Sequence, residues 1–365
     1  MNINFHYCAV KATAILSGFG ERDAELIATY SQMVDDYKVD QALNLTNVPS
    51  YCSPLVKDGK FHTVRTGFNY VSTVLHSVQE NVIMPFHFIP PKEYDKVKEN
   101  YRTCKAQHND RSLIDDICNY AITYYKTARN RRALIFLGAA FHVFADTYAH
   151  ACFNGFNSND NKGNVKAAIS SAGERRSYGS YSYLPPIGHA KFGTAPDESD
   201  LNFTFRLDGY KQTVPRINWY YFADCAVEIC KYFQEALGLE PSTALEARVQ
   251  DCVAKGCQVK GTEMESLATR WKSASPYLAN IPFHYTNPLS QMLSFNQDSL
   301  PEGFTQKETI MMLNTLPEEM DALDSKQQSM LERLSQVQAT ATPEFYEYNF
   351  AAYTIRKAAL HGKIA

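Results

Sequence analysis

Apolar side chains recur at helical spacing in about residues 6–24, 22–37, 66–82, 111–128, 131–153, 217–237, 243–255, 262–275, 316–338 and 344–361. Strict alternation, the mark of a half-buried strand, is scarce. LNFTFRLDG at 201–209 is the best hairpin-like exception, with Phe203 and Phe205 set among polar neighbours ahead of Asp208-Gly209. The pattern predicts an all-α fold, a multi-helix bundle. Residues 154–200, rich in Asn, Gly, Ser and Pro, are too long for an ordinary connection and read as a functional loop. A second loop covers about 38–62, and FNQDSLPEGF near 294–304 marks a boundary. The chain is therefore divided into a helical domain, 1–290, and a C-terminal helical extension, 291–365, packed on it. PEEMDALDSKQQSMLERLSQVQ in that extension reads as a polar amphipathic helix suited to self-association.

One helix breaks the rule that core faces are apolar. FHVFADTYAH, at 141–150, sets His142, Asp146 and His150 four residues apart along a stripe that otherwise looks buried. Residues four apart on a helix lie about 5–6 Å from one another, so Asp146 can share an ion with either histidine. His142 and His150, eight residues and roughly 12 Å apart along the axis, cannot chelate the same ion. The simplest arrangement is two ions with Asp146 shared between them, the geometry used to clamp the attacking and leaving oxygens of a phosphoryl displacement. A hydrogen-bonded core histidine is the ordinary reading of any one of these residues. Three ionisable groups on one apolar stripe are harder to place that way, because each unpaired buried charge costs several kcal/mol.

Further donors sit beside acids or Pro-flanked turns: His6 in NFHYCAV, Asp35 and Asp36 in SQMVDDY, His87 in MPFHFIPP, and His189 and Asp197 in PPIGHAKFGTAPD. Imidazole and carboxylate without thiolate suit zinc, with manganese or iron as alternatives. His62, His76, His108, His284 and His361 lack such settings and read as ordinary residues. The nine scattered cysteines form no Cys-x-x-Cys pair, which argues against a disulfide framework or a zinc ribbon and for reduced thiols.

A net charge of −3 with no Lys/Arg block marks neither an extended nucleic-acid surface nor an electrostatic membrane anchor. ALIFLGAAFHVFA, the longest apolar run, falls short of the roughly 20 residues that cross a bilayer. The N-terminal residues do not read as a signal peptide, and the expected location is the cytoplasm.

The segment ICNYAITYYKTARNRRALIFLGAAFHVFADTYAH resembles the central two helices of bacterial zinc-dependent phospholipases C, whose fold fungal single-strand-specific nucleases share. The motif order FHY, SQ-x-V-D-D, PFHF-x-P, H-x-x-x-D-T-x-A-H and GHA…G…PD, over about residues 4–200, is similar to that of an uncharacterised bacterial family related to those phospholipases. The resemblance implies an all-helical fold holding two or three zinc ions. His142 and Asp146 would match the His-x-x-x-Asp helix, His87 the His of its H-F-x-x-P, Asp36 its earlier Asp, and His6 its early helix histidine. His150, His189 and Asp197 would serve a second ion. The chain departs from the pattern in three ways: it begins Met-Asn-Ile where those enzymes begin with a metal-binding Trp, it spaces His150 three rather than five residues beyond the last match, and it has Gly193 where a His-x-x-x-Glu motif would end.

The function expected is a metal-dependent hydrolase of phosphoesters, phospholipase C-like or nuclease-like, acting on a phospholipid, a nucleotide or a nucleic acid. Whichever of Asp35 and Asp36 is not a ligand would orient or deprotonate the attacking water. Aromatic residues in 177–184 would wall the substrate, and Lys162, Lys166, Arg175 and Arg176 would supply positive charge. The alternative is a non-catalytic, metal-stabilised helical protein that binds a partner.

Overall fold

In the computed structural model, which describes residues 1–362 except 69–71, 93–100, 179–183, 209–211, 260–262, 297, 299, 301–303, 315–328, 330–332 and 335, the chain opens on a π-helical segment, Asn4–Ala9. It continues as α1 (Val10–Ser17) and turns at Gly18, whose φ of 108° lets α2 (Glu21–Asp36) fold back. The helix expected at 66–82 lies further on. Residues 63–68 form neither helix nor strand, and the helical stretch is α3 (His76–Val78), a π segment (Gln79–Ile83) and α4 (Met84–His87) run together.

Next come α5 (Leu113–Ala128), capped by Ser112, and α6 (Arg131–Ala149), capped by Asn130, whose side chain accepts from the Ala133 amide at 3.0 Å. Every residue of α6 from Ala133 to Ala149 is buried, as befits a helix covered on all sides. Gly138 sets the closest of these contacts. A Cβ there would meet the Ile27 carbonyl oxygen at 2.4 Å, so only glycine allows the α2 and α6 backbones to lie this near. That approach brings the end of α2 beside His142. Among the described residues the remaining α-helices are α7 (Asn218–Leu237), α8 (Thr243–Cys257), α9 (Met264–Ala274), α10 (Leu289–Met292), α11 (Gln306–Leu313) and α12 (Pro343–His361).

The expectation of an all-α fold is corrected by two β-sheets. The strands are β1 (Ala42–Leu45), β2 (Val56–Lys57), β3 (Lys60–His62), β4 (Gly163–Ser170), β5 (Leu201–Leu207), β6 (Val214–Ile217), β7 (Leu293–Phe295) and β8 (Gln338–Ala341). One sheet has the order β2-β3-β1-β8-β7, the other β4-β5-β6. Strands of two to four residues in the first sheet are too short to show a period of two. In the second, β5 follows the alternation seen at 201–207 and pairs antiparallel with β4 and β6.

The segment beyond residue 290 shares structure with the N-terminal part. β8 runs parallel to β1, with Asn44 opposite Gln338, and α12 lies on α6, where Arg131 binds Glu344 at 2.6 Å and Glu347 at 2.8 Å. Inside, the buried Asn349 amide accepts from the Val64 backbone at 2.7 Å and pairs with the Tyr37 hydroxyl. The amphipathic helix expected at 316–338, and self-association through it, fall almost wholly outside the described residues. Among the described residues no helix is long and apolar enough to cross a membrane.

Candidate metal centre

Asp146 is the hub of a buried polar cluster. Its Oδ1 lies 2.5 Å from the Met1 amine and 3.2 Å from His6 Nε2; its Oδ2 lies 3.1 Å from His87 Nδ1, 3.5 Å from His142 Nε2 and 3.6 Å from His150 Nδ1. Asp35, at the end of α2, faces three of these four histidines at 3.7–3.9 Å: His142, His87 and His6. A second group adjoins the first. His150 Nε2 and His189 Nε2 each lie 3.1 Å from a different oxygen of Asp197, and the Met1 amine, 3.3 Å from Asp197 Oδ1, connects the two groups. Three sets of donor atoms are each compact enough for one cation: His6–Asp35–His142, His87–His142–Asp146 and His150–His189–Asp197.

Local structure explains how these side chains converge. His6 sits in the N-terminal π segment, and His87 ends a helical stretch that contains the other one; such segments re-aim side chains relative to an α-helix. His142 and Asp146 follow from α6 itself, one turn apart. His150 caps that helix, and Phe88, stacked on its ring at 4.2 Å, is backed by Gly188.

The hydrogen bonds of the histidines fix which nitrogen faces inward. A backbone carbonyl can only accept, so the ring nitrogen beside one carries the proton. His142 Nδ1 donates to Ser31 at 2.8 Å, His87 Nε2 to Thr66 at 2.9 Å, His189 Nδ1 to Gly193 at 2.8 Å and His150 Nδ1 to His87. Four lone pairs are thereby turned toward three carboxylates that are themselves acceptors. Such carbonyl partners orient imidazoles for metal binding. His6 is fully buried; its Nε2 faces Asp146, and its Nδ1 has no hydrogen-bond partner, a costly arrangement for a residue without a further one.

Electrostatics agree with a site that wants positive charge. Burial opposes ionisation of Asp146, yet His150, the Met1 amine, His142 and His6 hold its pKa well below the usual range; Asp197 behaves likewise, through His189 and the amine. Burial likewise opposes the Met1 ammonium, but Asp146, Asp197 and Asp35 outweigh it and push the amine up to about 10. Burial and its neighbours His142 and the amine lower His6, whereas His87 is raised because Asp146 and Asp35 outweigh its burial, and His189 because Asp197 does. Asp35, most of its surface covered, is raised to about 6.

A cavity of about 100 Å³ opens onto the cluster. Asp35, His87, Asp146, His150, His189 and Asp197 supply polar groups to its lining, and Phe68, Ile83, Phe88 and Ile187 apolar ones.

Of the residues singled out from sequence, His6, Asp35, His87, His142, Asp146, His150, His189 and Asp197 are brought together. Asp36 is not. One residue and about 100° further round α2 than Asp35, it accepts from the Tyr285 hydroxyl at 2.6 Å and, more weakly, from Gln32. Lys162, Lys166, Arg175 and Arg176 do not line the cavity, and Arg176 is bound to Glu198 and Asp200. In the 177–184 stretch, residues 179–183 lie outside the described residues, and Tyr178 hydrogen-bonds Glu198. The Met1 amine and the orienting carbonyls of Ser31, Thr66 and Gly193 were missed, since neither an amine common to every chain nor a backbone group leaves a mark in the sequence.

A buried helical scaffold carrying a histidine–aspartate cluster under a cavity is thus what this chain presents. It belongs to the family described as a family of unknown function (DUF6765), whose model matches residues 1–362. No curated protein and no solved structure matches it.

Proposed function

We propose that the chain is a metal-dependent phosphoester hydrolase whose His/Asp cluster holds at least two divalent ions, zinc by donor type with manganese or iron as alternatives. The observation that carries this reading is the inward set of imidazole lone pairs facing carboxylates. Acceptors opposed to acceptors repel unless a proton or a metal ion lies among them, and the donor sets are compact enough for the latter. Charge supports it too. Asp35, Asp146 and Asp197 bring three carboxylates against one ammonium, and divalent ions would take the place of the protons that the raised His87 and His189 otherwise hold there.

His6, Asp35, His87, His142 and Asp146 would hold one part of the metal complement, and His150, His189 and Asp197 the other. Bound there, a divalent ion would supply Lewis acidity to a phosphoryl oxygen and lower the pKa of water. The chain's own residues provide the rest. Asp35 borders the cavity, where an oxygen not holding metal would orient a water. Phe68, Phe88 and Ile187 exclude water from one side of the substrate. The resemblance of the segment ICNYAITYYKTARNRRALIFLGAAFHVFADTYAH to the central helices of zinc-dependent phospholipases C adds support.

The rival, a structural metal cluster in an interaction protein, draws on the depth of His6 and His142, both fully buried. The cavity bordered by six of the eight donors favours the enzyme. Metal analysis of the purified protein, paired with hydrolysis of bis(p-nitrophenyl) phosphate before and after chelation, tests the reading. Co-purifying metal and activity abolished by chelation and restored by zinc or manganese are expected; metal without activity on phosphomonoester or phosphodiester substrates would return the case to the structural rival.

A further inference from the structure

Two side chains outside the donor set close on the turn that carries Asp197. Arg216, in β6, is buried; its Nη1 donates to the Ala149 carbonyl at 2.7 Å and its Nη2 to the Pro196 carbonyl at 2.9 Å. Ala149 ends α6 immediately before His150, and Pro196 immediately precedes Asp197. Asn218, two residues on at the start of α7, is also buried and donates from Nδ2 to the carbonyls of Ala195 at 2.9 Å and Glu198 at 2.7 Å, with a longer contact to Pro196 at 3.4 Å. One planar guanidinium therefore sets the separation of two backbone points whose next residues, His150 and Asp197, face each other at 3.1 Å.

The arrangement suits its place. The last carbonyls of a helix lack partners within it, and a cation at that end is favoured by the helix dipole. The guanidinium also lies 5.0 Å from the Tyr221 ring centroid and 5.6 Å from that of Phe203, which hold its plane. As a device for stability alone it is a poor choice. Arg216 Nε and Asn218 Oδ1 have no hydrogen-bond partner, and apolar packing of similar volume often serves a fold as well as a buried charge. An apolar side chain cannot tie two carbonyls together at a fixed spacing.

We propose that Arg216 and Asn218 are positioning residues that clamp the 195–198 turn to the end of α6 and thereby set His150, His189 and Asp197 as a distinct cation subsite. This rests on the metal reading above. Lysine is no substitute, because a single ammonium lacks the rigid fork that spans both carbonyls.

The test is a Co²⁺ titration of the full chain, metal-free at the start, followed by visible absorption, for the wild type, His142→Ala, His189→Ala, Arg216→Met, Arg216→Lys and Asn218→Ala. The wild type should show two classes of Co²⁺, one lost in His142→Ala and the other in His189→Ala. Both Arg216 variants should weaken the His189-dependent class about 10–100-fold and leave the other unchanged, with Asn218→Ala shifting the same class by less. If Arg216→Met does not fold, Arg216→Lys and Asn218→Ala decide the matter. Equal weakening of both classes, or of neither, overturns the clamp while leaving the metal reading standing. A wild type that takes up no Co²⁺ overturns both.

Discussion

Replacing Asp35 with asparagine separates a carboxylate placed for a cation from one placed for the fold. In the metal-free protein Asp35 is raised from 3.8 to about 6, because burial, with Asp146 adding to it, outweighs His142 and His87. A carboxyl raised in this way binds its proton more tightly in the folded than in the unfolded chain. The metal-free fold therefore loses stability through this group as pH rises from about 4 to about 6, and the deficit is complete above that window. At about 1.36 kcal/mol per pH unit the ceiling is about 3 kcal/mol. The side chain remains 29% exposed, and solvent screening reduces the figure to roughly 1–2 kcal/mol. Asp35→Asn removes the deficit, so in EDTA at pH 7.5 the variant should melt higher than the wild type, by about 2–4 °C per kcal/mol. The advantage should vanish at pH 4. With saturating zinc the order should reverse, since ligand binding stabilises in proportion to RT ln(1 + [L]/Kd) and the variant has lost an anionic donor. Calorimetry of both proteins in EDTA and in zinc reads all four conditions. A variant equally destabilised in EDTA and in zinc would mean that Asp35 is a structural acceptor, and the reasoning from opposed acceptors would fail.

Asp146→Asn should weaken zinc binding by two orders of magnitude or more, from the roughly 3–5 kcal/mol lost when one partner of a buried charge cluster is removed; competition with a chromophoric chelator measures it. Asp36→Asn, which touches Tyr285 rather than the cluster, should keep full metal content and lose only about 0.5–1.5 kcal/mol of stability by urea unfolding. Zinc uptake should release protons, and affinity should fall as pH drops through the raised pKa values of His87 and His189, because metal and proton compete for the same inward nitrogens; titration calorimetry in buffers of different ionisation enthalpy counts them. Gly188→Ala would place a Cβ 2.4 Å from the Phe88 ring at a residue with φ of 51°, so a loss of about 1–3 kcal/mol is expected, and an unchanged melting temperature would contradict the packing of Phe88 between Gly188 and His150.

The donors were legible where chemistry sat against its surroundings. His142 and Asp146 stood out because α6 is otherwise apolar, and His87 because prolines flank it. Choosing between Asp35 and Asp36 needed the rotation of α2 against α6, which Gly138 and the Ile27 carbonyl set and which no pattern within α2 reveals. The five-stranded sheet escaped for a related reason. Its strands are very short and one pairing joins β1 to β8 across most of the chain, so the information is in tertiary contacts rather than in local periodicity. The same pairing puts residues beyond 290 into the structure that supports His87, through Tyr348 bonded at 2.8 Å to Thr66, whose carbonyl orients the imidazole. Nothing around Arg216 in the sequence marks it, because its two carbonyl partners come from distant parts of the chain.

A crystal grown in zinc and measured on both sides of the zinc absorption edge addresses the claim at its root. Anomalous peaks about 2.0–2.2 Å from the inward nitrogens of His87 or His142 and from Asp146, with a second peak among His150, His189 and Asp197, are the predicted result. Well-ordered side chains in the same places, bound only to one another, to the Met1 amine or to water and with no anomalous signal among them, would contradict it.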